Sequence, residues 1–276
     1  PAMILLGGSE GGDSFAKLAP MFAARGYVAA SVAYFGTPGL PDTLTNIPVE
    51  TVGKAIDALQ ARPDVNPSAI GLLGTSKGGE LTLLAASTYP QIKAVVAIVP
   101  SPVAFMGLGE FNIPTGCSWT KDAKPLPCVP ADAAAGAAVG QEFQAHKPIV
   151  LAPMYDASLD ANPNVTQAAF FPLQNIAGPV LCLAGSDDKM WDSSRQCSMA
   201  MQYLKAHNHE YGDKMIAYPN AGHMFLFTLH GPSSAITSYA AGPATLAFGG
   251  TAEGDAAAAD AAWPAIWSFL AASLRR

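Results

Sequence analysis

A serine flanked by glycines lies in the run Gly74-Thr75-Ser76-Lys77-Gly78. The run follows a strand-like apolar segment and precedes a helix-like one, which is the context that a nucleophilic serine on a tight strand-to-helix turn requires. The start of the following helix favours negative charge on an acyl oxygen. The pattern predicts attack by Ser76 on an acyl carbonyl, the alternative being an ordinary loop with a capping serine.

A base and an orienting acid are expected further along the chain, because a serine hydroxyl alone is a weak nucleophile. The expected order is serine, acid, histidine. One strand-like run ends just before Asp187 and Asp188, and the next leads to His223. We predict His223 as the base and Asp188 as the acid, with Asp187 holding the loop. His230 is the alternative base, and Asp187 the alternative acid.

An oxyanion requires two backbone N–H donors beside the nucleophile. We predict one from Lys77, the residue after the serine, and one from Ser9 in the glycine-rich loop after the first strand, with Gly8 as the fallback. This loop matches neither the dinucleotide nor the phosphate-binding glycine pattern. The predicted chemistry uses neither a metal nor an organic cofactor.

Strand-like and helix-like segments alternate along the chain. Strands are predicted at 2–6, 27–34, 70–73, 94–99, 180–184 and 215–218. Helices are predicted at 14–24, with Asp13 as the cap, and at 49–61, 80–87, 193–206 and 260–274. Continuous apolar strands separated by helices predict an α/β fold with a mostly parallel sheet that is covered by helices on both faces.

Two segments break this alternation within a predicted single domain, 1–276. Residues 101–177 show no clear alternation and are predicted to form a lid or a substrate-binding wall. Residues 224–256 are a second, Gly/Ala-rich insertion. Phe105 and Trp119 in the first insertion, with Trp191 after the acid, are the predicted substrate-binding residues. Packing in the core is the alternative for these side chains.

Composition excludes several classes of protein. Of 276 residues, 50% are hydrophobic, which excludes a disordered chain, and the net charge of −6 argues against a nucleic-acid partner. No apolar run reaches the roughly 18 residues that span a bilayer. Cys117 and Cys128 lie in a Pro-rich segment; a disulfide between them would favour an exported protein, and free thiols are the alternative.

Several runs together resemble one known family. They are LGGSEGG at 6–12, YFG at 34–36, GTSKGGE at 74–80, YPQIKAVV at 89–96, SWT at 118–120 and DDKMW at 187–191. These runs are similar to the C-terminal domain of the acyl-CoA thioesterase / bile acid-CoA:amino acid N-acyltransferase family. The resemblance implies an α/β-hydrolase fold, with Ser76, Asp188 and His223 at the positions of the family's catalytic triad. It also places Pro1 at the third of eight strands.

The resemblance also implies a substrate class. Family members with a serine nucleophile hydrolyse acyl-CoA thioesters, so the chain is expected to be a serine hydrolase acting on a small-molecule acyl thioester. The alternatives are an ester hydrolase of the carboxylesterase or dienelactone-hydrolase type, and a catalytically silent binding module. Coenzyme A carries three phosphates, and the candidate contacts for them are Lys77, Lys121, Lys124 and Lys189.

Overall fold

Six parallel strands form the central sheet of the computed structural model, which describes residues 1–227, 238–241 and 244–275. The described strands are β1 (Ala2–Leu6), β2 (Val28–Ser31), β3 (Ile47–Pro48), β4 (Ile70–Thr75), β5 (Ile92–Ile98), β6 (Met106–Leu108), β7 (Pro114–Cys117), β8 (Trp119–Lys121), β9 (Lys124–Pro125), β10 (Val180–Gly185), β11 (Lys214–Tyr218), β12 (Ser238–Ala241) and β13 (Ala244–Ala247). The described helices are α1 (Ala19–Ala23), α2 (Glu50–Gln60), α3 (Lys77–Thr88), α4 (Ala133–Gln144), α5 (Ala152–Ala161), α6 (Pro163–Ala169), α7 (Ser193–Ala206) and α8 (Ala252–Leu274).

The sheet has the strand order β11-β10-β5-β4-β1-β2, in which the four inner strands are almost entirely buried and the edge strands β2 and β11 are partly exposed. Successive side chains of a strand point to opposite faces. In β1, accordingly, Ile4 packs into the core beneath α2, α3 and α7, while Met3 packs into the core beneath α1 and α8. The prediction of a parallel α/β sheet covered on both faces is confirmed. Among the described residues, no helix has the length and apolar character needed to cross a bilayer.

The parallel arrangement brings the ends of several strands to one edge. Because all six strands run in the same direction, the loops that follow β1, β4, β10 and β11 meet at the carboxyl edge of the sheet. In open α/β sheets, ligands bind at this edge. The predicted nucleophile, acid, base and oxyanion loop all follow these strands.

The first predicted helix, 14–24, is wrong in its first half. The structure has a single 3₁₀ turn at Ala16–Leu18, and α1 begins only at Ala19 with Pro20 in its first turn. Proline has no N–H and is favoured in the first turn of a helix, where no hydrogen bond is lost, so Pro20 favours a helix that begins at Ala19 over one that runs through it from Ser14. Asp13 does not cap α1, whose N-cap residue is Leu18.

The insertion 101–177 contains more regular structure than the sequence indicates. It holds α4, α5 and α6 and the short antiparallel pairs β6–β7 and β8–β9. The helices are rich in alanine and the strands have two to four residues each, so neither shows a strong periodicity. Similarly, α8 begins at Ala252, capped by Thr251, so the end of the predicted insertion 224–256 belongs to this helix.

A disulfide joins Cys117 to Cys128 within the insertion, with a Cα–Cα distance of 5.7 Å. The sequence left open whether these cysteines are bonded or free, and the structure has the bond, while Cys182 and Cys197 are buried thiols. The bond ties the end of β7 to the segment that carries Val129, which pairs with Phe105. Export of the protein stays a prediction.

Candidate active site

The turn between β4 and α3 places Ser76 in a strained backbone conformation. Its φ is 53° and its ψ is −123°, a region that a residue with a side chain rarely adopts. The Ser76 N–H donates to the Ile98 carbonyl at 2.9 Å, which ties the turn to β5. The turn also needs glycine at Gly78, because a Cβ there would lie 1.9 Å from the Gly7 oxygen.

His223 lies between Ser76 and Asp188. Its Nε2 is 2.8 Å from Ser76 Oγ, and its Nδ1 is 2.8 Å and 3.0 Å from the two carboxylate oxygens of Asp188. The side chains of His223 and Asp188 are both buried. The structure thus brings the predicted nucleophile, base and acid into one hydrogen-bonded series, in the geometry that acyl transfer by a serine requires.

The two neighbouring carboxylates have different partners. Asp188 faces His223 and also accepts from the N–H groups of Met190 and Trp191, at 2.9 Å and 3.3 Å. Asp187 points away, accepting from the Gly250 N–H at 2.9 Å and pairing with Lys189 Nζ at 2.6 Å. The structure therefore places Asp188 on the imidazole and Asp187 on the adjacent loop. The alternative base, His230, lies outside the described residues.

The loop that carries His223 is held by a residue that the sequence analysis missed. Asp255 in the first turn of α8 accepts from the Gly222 N–H at 2.7 Å, and the His223 N–H donates to the Phe248 carbonyl at 2.8 Å. Asp255 is fully buried, and burial raises the pKa of its carboxyl. The Ala-rich run that contains Asp255 also contains Glu253 and Asp260, so no signal in the sequence singled out Asp255.

The glycine-rich loop after β1 lies against the nucleophile. A Cβ built on Gly8 would be 3.5 Å from Ser76 Cβ. The Gly8 N–H donates to Glu10 Oε1 at 3.0 Å, so the fallback oxyanion donor already has an acceptor. Within the described part of the chain, the Ser9 N–H has no acceptor. The Lys77 N–H, at the first position of α3, has no partner inside the helix.

The side chain of Lys77 is buried rather than exposed, which corrects its interpretation as a candidate phosphate contact. Its Nζ lies 3.0 Å from Glu80 Oε2, donates to Ser118 Oγ at 2.8 Å and contacts the Met106 carbonyl at 3.3 Å. Burial lowers the pKa of Lys77 and raises that of Glu80, and the mutual attraction of the pair opposes both shifts. Because the Lys77 ammonium is buried in this ion pair, it cannot contact a phosphate of the substrate.

Glu80 connects this ion pair to the insertion. Its Oε1 accepts from Trp119 Nε1 at 2.6 Å and from the Phe105 N–H at 3.0 Å. The sequence analysis missed Glu80, although its place three residues after Lys77 on a helix was a signal for a pair. The Lys77–Glu80 network therefore fastens the insertion to the helix that begins at the nucleophile.

Replacing Glu80 by alanine is expected to lower the free energy of unfolding by about 3–5 kcal/mol, because it leaves the Lys77 ammonium buried without its partner. Denaturant titration of both proteins measures this difference. The matched control is the double variant Lys77→Met, Glu80→Gln, which removes the buried charges together and should be more stable than Glu80→Ala alone. Equal stability of Glu80→Ala and the unmodified protein would contradict the network's structural role.

The three aromatic residues predicted to bind substrate are packed in the interior. Phe105 and Trp119 have no exposed surface, and each ring lies 5.9 Å from Lys77 Nζ. Trp191 is also buried, with its ring centroid 5.8 Å from that of His223 and its Nε1 donating to the Val99 carbonyl at 3.0 Å. Phe105 and Trp119 therefore pack in the core, which was the alternative to a role in substrate binding. Trp191 packs against the imidazole ring of His223.

The other candidate lysines differ in their distance from the nucleophile. Lys189 follows Asp188 directly and is about half exposed while paired with Asp187. Lys121 borders a largely apolar cavity of about 380 Å³. Thr88 also lines this cavity and is the last residue of α3, so the cavity lies at the opposite end of this helix from Ser76.

Among the described residues, no group of three or more His, Cys, Asp or Glu side chains is placed to hold a metal ion.

Comparison with solved structures defines the class of fold. An alpha/beta hydrolase from Penicillium sp. sh18 matches all of this chain and 91% of its own, with a TM-score of 0.57 and 12% identity. A putative dienelactone hydrolase from Klebsiella pneumoniae matches 98% of this chain and 86% of its own, with a TM-score of 0.56 and 18% identity. The fold is that of the α/β-hydrolases.

Comparison of sequences identifies the family. Residues 47–276 match the family described as BAAT / Acyl-CoA thioester hydrolase C terminal. Acyl-coenzyme A thioesterase 1 of Rattus norvegicus is 29% identical over 260 residues, which are 94% of this chain and 57% of the rat protein. The chain belongs to the BAAT / acyl-CoA thioester hydrolase C-terminal family, as the sequence motifs predicted. It spans less than two thirds of this curated relative.

Proposed function

We propose that the protein is a serine hydrolase that cleaves thioester or ester bonds through Ser76, His223 and Asp188. The observation that carries this proposal is the 2.8 Å distance between Ser76 Oγ and His223 Nε2, with Asp188 on the other imidazole nitrogen. The family, in which a rat relative is named an acyl-coenzyme A thioesterase, supports the same chemistry. A binding module without catalytic activity would not require a serine in a strained backbone conformation to be hydrogen-bonded to a histidine and an aspartate.

The mechanism follows from these positions. His223 Nε2 takes the proton of Ser76 as Oγ bonds to the acyl carbon, and the carbonyl electron pair moves onto oxygen. The N–H groups of Lys77 and Ser9 stabilise that oxyanion. The imidazolium, oriented by Asp188, then protonates the departing thiolate or alkoxide. Water, deprotonated by His223, attacks the acyl-enzyme. The imidazolium then returns the proton to Ser76 Oγ as the bond between Oγ and the acyl carbon breaks, which releases the acid and free Ser76.

The leaving group decides between two candidate substrates. The family favours an acyl-CoA thioester. The partners of two lysines favour a simple ester instead. Lys77 is buried and Lys189 is already paired with Asp187, so neither is free to bind the phosphates of coenzyme A. The Lys189–Asp187 pair is 43% and 40% exposed, however, so its interaction is weak and a phosphate can compete for the lysine. We therefore place the thioester first and the ester second.

Turnover of an acyl-CoA and of the matching p-nitrophenyl ester distinguishes these candidates. We expect both to be hydrolysed, with kcat/KM for the acyl-CoA falling more steeply with ionic strength, because salt screens contacts between lysine and phosphate. Lys189→Ala should remove part of that extra salt dependence and leave the ester reaction unchanged. An equal salt response of both substrates, or no turnover of the acyl-CoA, would favour the ester hydrolase.

A further inference from the structure

The hydroxyl of Tyr34 holds two successive carbonyl groups of the loop beside the nucleophile. Tyr34 Oη lies 2.7 Å from the Gly7 oxygen and 2.8 Å from the Gly8 oxygen. Tyr34 follows β2 and is buried, with 2% of its surface exposed. Its hydroxyl therefore reaches across from the neighbouring strand to the end of β1.

The two peptide units differ in their N–H groups. The Gly7–Gly8 unit has a partner at both ends, because its carbonyl accepts from the Tyr34 hydroxyl, whose one proton is shared with the Gly8 carbonyl, and its N–H donates to Glu10 Oε1. The Gly8–Ser9 unit has only its carbonyl satisfied, and within the described residues the Ser9 N–H has no acceptor. A peptide bond is planar, and a trans unit has its C=O and N–H on opposite sides. Fixing the Gly8 carbonyl therefore fixes the direction of the Ser9 N–H.

The rest of the loop is held by the same segment. The Gly12 N–H donates to the carbonyl of Phe35 at 2.9 Å, so residues 34 and 35 fasten both ends of the loop. The Tyr34 ring contacts Phe35 and Trp119, with centroid distances of 5.2 Å and 6.0 Å. These contacts restrict the ring to one orientation and its hydroxyl to one position.

We propose that Tyr34 is a positioning residue for the oxyanion hole, whose hydroxyl holds the Gly8–Ser9 peptide so that the Ser9 N–H faces the acyl oxygen. This inference rests on the proposed function. Tyr34 does not touch the substrate and acts only through Ser9. Burial, with the negative charges of Glu10 and Glu80, keeps the pKa of Tyr34 well above its ordinary value, so the hydroxyl retains its proton.

Tyr34→Phe removes this hydroxyl and retains the ring. Loss of an oxyanion donor costs about 10²–10³ in kcat, and we expect the less drastic loss of its alignment to cost about 10- to 100-fold. KM should change less than twofold, because the Ser9 N–H acts on the transition state. The inhibition constant of a trifluoromethyl ketone, whose carbonyl carbon bonds to Ser76 while its oxygen becomes an oxyanion, should rise by the same factor as kcat/KM falls.

Tyr203→Phe is the matched control. It removes a hydroxyl that donates to Gln174 Oε1 at 2.7 Å, far along α7 from the site. This variant should keep the activity and the ketone affinity of the unmodified protein. Thermal unfolding of both variants reports any general loss of structure.

The outcomes separate this inference from the proposed function. If Tyr34→Phe keeps the kcat and the ketone affinity of the unmodified protein while Ser76→Ala is inactive, Tyr34 has no positioning role and the proposed function stands. A fall in kcat without a parallel weakening of the ketone would also overturn the inference. If Ser76→Ala remains active, the proposed function itself fails.

Discussion

Ser76→Ala and His223→Ala are each expected to reduce kcat by about 10⁴–10⁶-fold, because nucleophile and base act as a unit. The double variant should be little worse than either single one, since removal of one group already disables the other. The measurement is kcat on one thioester and one ester, with thermal unfolding as the check on structure. Ser76 and His223 lie in loops at the carboxyl edge of the sheet and not in its strands or helices, so the unfolding midpoints should stay close to that of the unmodified protein, with the larger change in His223→Ala because this ring is buried.

Retained turnover in either variant would contradict the assignment of that residue. If only His223→Ala kept its activity, His230 would be the next base to test, as it is the alternative that the sequence offers. If Ser76→Ala kept its activity, the nucleophile would lie elsewhere in the protein.

Asp188→Asn is expected to lower kcat by about 10⁴-fold, whereas Asp187→Asn should have little effect. The first change replaces the carboxylate that accepts from His223 Nδ1, so the imidazole loses the partner that sets its tautomer and stabilises its charged form. The second weakens only a partly exposed pair with Lys189, an interaction worth about 0–1 kcal/mol. The two variants form a matched pair, because they make the same chemical change at adjacent positions.

Comparison of kcat for these two variants tests the choice of acid. Equal losses would mean that both carboxylates act on the histidine. A larger loss in Asp187→Asn would reverse the assignment and would require the loop to differ from the arrangement in which Asp187 accepts from the Gly250 N–H.

Local sequence patterns were sufficient for the parts of the site that lie directly after a strand. The placement of Ser76 could be predicted because β4 is buried along its whole length and is a continuous apolar run, whose end is visible in the sequence. The placement of His223 could be predicted from the short apolar run 215–218, although β11 is a partly exposed edge strand. The parallel sheet then requires these ends to meet at one edge. The choice of Asp188 over Asp187 was less secure from sequence, since both follow β10, and the structure separates them by their hydrogen-bond partners.

Residues that act through distant partners could not be found in this way. Lysine is usually a surface residue. Lys77 is buried here with a hydrogen-bond partner, Ser118, that lies 41 residues further along the chain. Asp255 reaches Gly222 over 33 residues, and Tyr34 reaches Gly7 over 27. No short-range pattern marks such pairs, because tertiary packing alone brings them together. The alanine-rich helices of the insertion were missed for a different reason, their weak periodicity.

Mass spectrometry of the protein after reaction with an alkyl fluorophosphonate, which captures an activated serine, tests directly whether Ser76 is the nucleophile. The proposed function predicts one adduct per chain, on the peptide that contains Ser76, and no adduct in Ser76→Ala. Labelling should also be lost in His223→Ala, because the hydroxyl then lacks its base. An adduct on another residue, or hydrolysis that persists in a Ser76→Ala protein without any adduct, would contradict the assignment of Ser76 as the nucleophile.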